Sequence, residues 1–136
     1  MLEYTVYAKL TKAARPLPFI DLYRVENRVR HGLPDFHVQV SGGDIAWVEV
    51  KVIRGNRIKL ERSQVPFLTK FAKRAGLAMI LAVKPKEWIR FYDAAKVDLK
   101  QVDIREWSPV YEGDVDDWEG VLATLDYYIT ACNCDE

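Results

Sequence analysis

Apolar and polar positions alternate most sharply in "IAWVEVKV", residues 45–52, where Val48, Val50 and Val52 fall on one side of an extended chain and Trp47, Glu49 and Lys51 on the other. The preceding "DFHVQV" has the same character. Between the two, "SGGD" carries two glycines that supply the positive φ of a tight connection, so the pair predicts a β-hairpin. Over residues 2–14 the period is helical instead, with Leu2, Val6 and Leu10 every four positions until "RPLP" stops the run. "FIDLYRVEN" has the aromatic and β-branched content of a strand, and a helix from Pro18 to Arg30 competes with it. Ser63 can cap a helix that runs to about Ala75, with Pro66 in its first turn, Gly76 at its end, and Leu68, Phe71 and Ala75 facing inward. "LAMILAV", residues 77–83, is apolar throughout and predicts a strand buried on both faces, and "EWIRFYDA", residues 87–94, predicts another. Beyond Lys100 the pattern weakens until a last helix over about residues 115–130, which places Trp118, Leu122, Leu125 and Ile129 on one face. Helix, strands, helix, strands, helix is the order of an α/β sandwich.

Composition narrows the class. The 136 residues are 49% apolar and 12% aromatic, which suits one folded domain spanning 1–136 and excludes a mostly disordered chain. Nothing resembles a signal peptide or a run of about 18 apolar residues, so a soluble cytoplasmic protein is expected. The formal charge of zero hides a division: residues 1–100 carry 19 Lys or Arg against 10 Asp or Glu, whereas residues 101–136 carry Arg105 against 10 acids. A basic body is the electrostatic footprint of a protein that meets phosphates, and scattered surface lysines produce the same count. Cys132 and Cys134 lack the four-ligand spacing of a structural zinc site and are expected to be reduced bystanders.

The chemistry lies in the hairpin. Asp35 opens the first strand fourteen positions before Glu49, and pairing of the two strands brings these carboxylates together. Two such groups repel unless a cation lies between them. Magnesium suits the place, being a hard ion that takes oxygen ligands and keeps waters and a substrate phosphate. Lys51, two residues beyond Glu49 on the same face, can orient or deprotonate an attacking water and offset developing negative charge. The bland reading of the same residues is a solvated sheet face.

In its order of parts, "RVEN…HGLPDF…GGDIAWVEVKV…RSQVPFL…AGLAMIL" resembles the PD-(D/E)XK nuclease superfamily over about residues 24–83. It is similar to the VRR-type and phage-encoded members and, more distantly, to the Holliday-junction-resolving branch. The resemblance implies a restriction-endonuclease-like α/β sandwich, a mixed central sheet flanked by helices, and hydrolysis of DNA with magnesium, for which manganese can substitute. It implies that Asp35, Glu49 and the Val50 carbonyl bind the metal and that Lys51 is the catalytic lysine. Glu26 matches the upstream acid, with Glu3 on the first helix in reserve. Gln64 matches the helix glutamine, and its place on the stripe of Leu68, Phe71 and Ala75 demands a polar partner in any case.

Arg28, Arg30, Arg54, Arg57, Lys59 and Arg62 stand on both sides of the hairpin and are candidates to hold a DNA backbone, while a solvated surface explains them equally. His37 reads as a sheet residue and His31 as a phosphate contact. The acids around Trp118 suit the first turn of a helix, and a tail that docks on a basic face and competes with DNA is a sharper alternative. A chain this short leaves no room for a separate recognition domain, so recognition of shape or of branched DNA is expected, with a homodimer supplying two sites. An exonuclease, a restriction-like nuclease and a non-catalytic DNA-binding protein on the same scaffold stay open.

Overall fold

The computed structural model describes residues 2–25 and 32–134, the side chain of Cys134 excepted. Glu26, Arg28, Arg30 and His31 lie outside the described residues.

Six strands form one sheet in chain order: β1 (Ile20–Arg24), β2 (Phe36–Val40), β3 (Ile45–Val52), β4 (Ala78–Lys84), β5 (Trp88–Asp93) and β6 (Tyr111–Gly113). Neighbours are antiparallel except β3 and β4, which run parallel and are joined by a crossover through α2 (Gln64–Phe71). A mixed α/β sheet results. A parallel step needs such a connection, whereas β2 and β3 need only the turn at residues 41–44, where Gly43 takes φ 81°.

Alternation divides β3 and β4 between two cores. Val48 and Val50 join Met79, Leu81 and Val83 beneath α1 (Glu3–Ala14) and α3 (Trp118–Cys134), which supply Val6, Leu10, Val121, Leu122, Leu125 and Ile129. Ala78, Ile80 and Ala82 face the other way, toward Leu68 of α2 and toward Ile53, Ile58, Ile104 and Trp107. All six β4 residues from Ala78 to Val83 are at most 1% exposed, which is why that strand shows no alternation in sequence.

Several boundaries differ from the sequence pattern for physical reasons. The segment at Phe19 takes the strand alternative, with β1 paired to β2 from Ile20↔Val40 to Arg24↔Phe36. Leu2 is 68% exposed, and the buried stripe of α1 is Val6, Leu10 and Ala14, one turn later than its spacing suggests. Helix α2 stops at Phe71 rather than Ala75. Ser63 makes no side-chain cap there; the Glu61 N–H is held instead by Gln64 Oε1 at 2.8 Å. Helix α3 begins at Trp118 rather than 115 because Asp117 caps it, its Oδ1 accepting from the Gly120 N–H at 3.0 Å. No helix among the described residues is long and apolar enough to cross a membrane.

Candidate active site

The hairpin opens where the motif lies. Pairing of β2 with β3 ends at Phe36↔Val48. The next N–H on that edge of β3 belongs to Val50 and donates to Asp35 Oδ2 at 2.8 Å, so a side chain stands where the partner backbone has turned away. In a strand the N–H and C=O of one residue leave on the same edge. The Val50 carbonyl therefore points into the same opening as the Asp35 carboxylate.

Asp35 is held from two further elements. Tyr7 of α1 donates its hydroxyl to Oδ1 at 2.8 Å. Arg24, at the end of β1, donates to the Asp35 carbonyl at 2.7 Å, places its guanidinium 3.6 Å from Oδ1, and lies 4.1 Å from the centre of the Tyr7 ring. Burial, then the Asp35 charge and the hydrogen bond to it, push the Tyr7 phenol far above its ordinary range against the opposing pull of Arg24. Tyr7 is thus a neutral donor at any working pH. Sequence reading missed both residues: the periodicity of α1 identifies its buried stripe and is silent about the flank where Tyr7 stands.

Glu49 and Lys51 are buried, 2% and 8% exposed, with Nζ 3.3 Å from Oε2. Gln64 Nε2 also donates to Oε2, at 2.5 Å. Because Gln64 Oε1 accepts from a backbone N–H, its amide can face Glu49 only with the donor nitrogen. The polar residue on the apolar stripe of α2 has found its partner. Trp47, one alternation before Glu49, packs edge-on against Phe67 with ring centres 5.5 Å apart and lies 5.7 Å from Phe71, closing the site from that side.

Oε1 of Glu49 is buried and has no hydrogen-bond partner among the described residues. An ionised oxygen so placed is costly. Burial first, and then the neighbouring Asp35 charge, push the Glu49 carboxyl up to about 8, with Lys51 opposing the shift. A hard divalent cation removes both penalties, and the available donors are of the right kind: the Glu49 and Asp35 carboxylates and the Val50 carbonyl, all oxygens. Among the described residues each Asp35 oxygen accepts one hydrogen bond, which leaves it a second lone pair. No group of three His, Cys, Asp or Glu side chains suited to a metal occurs among the described residues. Glu3, half-buried one turn before Tyr7, adds to the charge that Tyr7 senses.

The structure brings Asp35, Glu49, Val50, Lys51 and Gln64 together. Arg54, Arg57, Lys59 and Arg62 are all exposed on the segment between β3 and α2, which leaves the site after Lys51 and returns to it at Gln64. None of the four pairs with Asp35 or Glu49 among the described residues. His37 is a sheet residue of β2, its ring centre 4.8 Å from that of Trp47.

A mixed sheet between helices, with two carboxylates and a lysine where a hairpin splays, defines the class: an α/β protein of nuclease fold. The model of the archaeal Holliday junction resolvase (Hjc) family matches residues 26–106, and the chain belongs to that family, whose members are metal-dependent endonucleases acting on DNA. Among solved structures, Hjc of Archaeoglobus fulgidus, described as a Holliday junction resolvase from an archaeal hyperthermophile, superposes with a TM-score of 0.55. The two are 18% identical, and the match covers 88% of this chain and 96% of that one, so they share the fold. No curated protein matches the chain.

Proposed function

We propose that this chain is a structure-selective DNA endonuclease of one domain, 1–136, that hydrolyses a phosphodiester at the Asp35–Glu49 site with magnesium. One observation carries the reading: the buried Oε1 of Glu49, without a hydrogen-bond partner among the described residues, opposite an Asp35 that is itself clamped by Tyr7, Arg24 and Val50 N–H. Such an arrangement is costly without a cation and preorganised with one.

Asp35, Glu49 and the Val50 carbonyl would hold the metal, with Glu26 supporting its shell. When bound, magnesium supplies Lewis-acid polarisation of the phosphate and a more acidic water. The chain's own residues do the rest. Lys51 orients the attacking water and offsets charge as that oxygen bonds to phosphorus and the 3′ oxygen leaves, taking a proton and giving a 5′-phosphate end. Gln64 and Lys51 fix Glu49 Oε2, so that Oε1 faces the opening. Tyr7 and Arg24 hold Asp35 against repulsion from Glu49. Arg28, Arg30, Arg54, Arg57, Lys59 and Arg62 hold the phosphate backbone on either side of the hairpin. Branched DNA is the favoured substrate, and a homodimer presents two sites to one branch. Manganese substitutes for magnesium.

The test is cleavage of labelled linear, flap and four-way-junction DNA by wild type, Lys51→Ala and Asp35→Asn with each metal. The expected result is cutting by wild type, strongest on branched DNA, and a loss of at least about 100-fold in both variants with folding and DNA affinity kept. Metal-independent binding without any cutting would reduce the chain to a binding module on a nuclease scaffold.

A further inference from the structure

The outer side of α1 carries a groove that the site does not account for. It is open, about 590 Å³, and is lined by Tyr4, Tyr7, Thr11, Lys12, Arg15 and Arg24, with Ala8 as its floor. No acid lines it. Tyr4, Ala8, Lys12, Arg15 and Arg24 are exposed, and Lys12 and Arg15 have no ion pair or hydrogen bond among the described residues. Three cations and three hydroxyl groups around a small residue are the chemistry of a surface for phosphates.

Its position gives it a role. Tyr7 and Arg24 line the groove and also hold Asp35, at 2.8 Å from Oδ1 and 2.7 Å from the carbonyl, so the groove opens directly onto the candidate metal site. Across Lys12 lies a second groove that includes Asp116, Asp117 and Glu119. A polyanion leaving Asp35 along α1 is thereby confined to the side without acids. The exposed Arg54, Arg57, Lys59 and Arg62 lie on the segment between β3 and α2, two other elements.

Resting on the nuclease reading, the geometry points to the α1 groove as a second backbone track, which carries one arm of the DNA away from the scissile phosphate. Lys12 and Arg15 contact its phosphates and read no base. From Tyr7 to Arg15 the helix advances about 12 Å at ~1.5 Å per residue, which matches three or four phosphates of one strand at ~3.4 Å each.

Affinity for a long-armed four-way junction would be measured in EDTA over a range of salt, for wild type, Lys12→Ala/Arg15→Ala and, as an equal charge change at exposed positions in the last turn of α2 and just beyond it, Lys70→Ala/Lys73→Ala. Two lost phosphate contacts lower the slope of log affinity against log salt by about 1.8. That decrease is expected in the first pair alone, with Lys12→Arg/Arg15→Lys restoring it. Trimming the arm to about two base pairs is expected to bring wild type down to the first pair's affinity and to leave that pair unmoved. An unchanged slope in Lys12→Ala/Arg15→Ala, an equal decrease in the Lys70/Lys73 pair, or no DNA binding by wild type overturns the track. Wild type that cuts while Lys12→Ala/Arg15→Ala keeps its slope overturns the track and leaves the nuclease. Wild type that binds with the expected slopes and cuts nothing overturns the nuclease and leaves the track.

Discussion

Glu49 has one oxygen fixed by Gln64 and Lys51 and the other buried with no hydrogen-bond partner among the described residues, and this asymmetry has a consequence in pH. Its carboxyl titrates near 8 in the folded chain against 4.5 when free. Below about 4.5 the proton is bound in both states. Between the two values the unfolded chain releases it while the folded chain keeps it, so stability falls as pH rises and the loss is complete above about 8. The penalty is on the order of a few kcal/mol. Denaturant unfolding in EDTA at pH 5 and pH 9 should show wild type losing stability across this interval. Glu49→Gln, which carries no charge to desolvate, should flatten the curve and abolish cleavage. Asp35→Asn should flatten it in part, since the Asp35 charge is the second cause of the shift. Equal pH dependence in wild type and Glu49→Gln would remove the argument for a cation at this oxygen.

At the scale of elements, the site depends on how tightly the Pro-Asp segment meets α2. Gly32, at φ 93°, lies so close to the start of that helix that an added Cβ would fall 2.2 Å from the Ser63 carbonyl oxygen. Backbone cannot retreat from such a contact without moving Gln64, the next residue. Gly32→Ala should therefore lower stability by about 2–3 kcal/mol and disturb cleavage. Gly43→Ala, at φ 81° with open space around the new Cβ, should cost only about 1 kcal/mol and leave cleavage unchanged. Melting temperatures and cleavage rates of the two variants separate local strain from loss of contact. The Gly-Leu-Pro-Asp spacing was legible in sequence, but its reason was not, because the contact spans the whole hairpin. Trp47, Glu49 and Lys51 on one face and the valines on the other were legible because a period of two leaves no alternative once one face is buried. The three-residue β6 was not: its strand character comes from pairing Tyr111 and Glu112 with Phe91 and Arg90, not from any pattern of its own. The Tyr7–Asp35 hydrogen bond, 28 residues apart in sequence, is of the same kind.

Over the whole molecule, the two ends of the described chain meet. Helices α1 and α3 pack on one face of the sheet and share a core, so the acidic C-terminal region is no detachable tail: Val121, Leu122, Leu125 and Ile129 are each at most 2% exposed. Buried Asp93 fastens α3 to the sheet, accepting from the Tyr128 hydroxyl at 2.6 Å and from the Gly76 N–H at 2.9 Å. Tyr128→Phe should cost about 1–3 kcal/mol and leave cleavage unaltered, since neither group hydrogen-bonds to Asp35 or Glu49 among the described residues. Removing residues after Glu112 should give no folded protein. A unit closed in this way unfolds in one step, so any ligand of the native state raises the midpoint of the whole transition. Magnesium at about 100 times its dissociation constant adds ~2.7 kcal/mol. Binding requires Glu49 to give up its proton, so the affinity for magnesium should be weaker at pH 6 than at pH 8.5, where the site is already ionised. A magnesium-induced rise in melting temperature, larger at pH 8.5 for a given concentration and absent in Glu49→Gln, would tie the global stability to one buried oxygen. The same rise in Glu49→Gln would place the ion elsewhere.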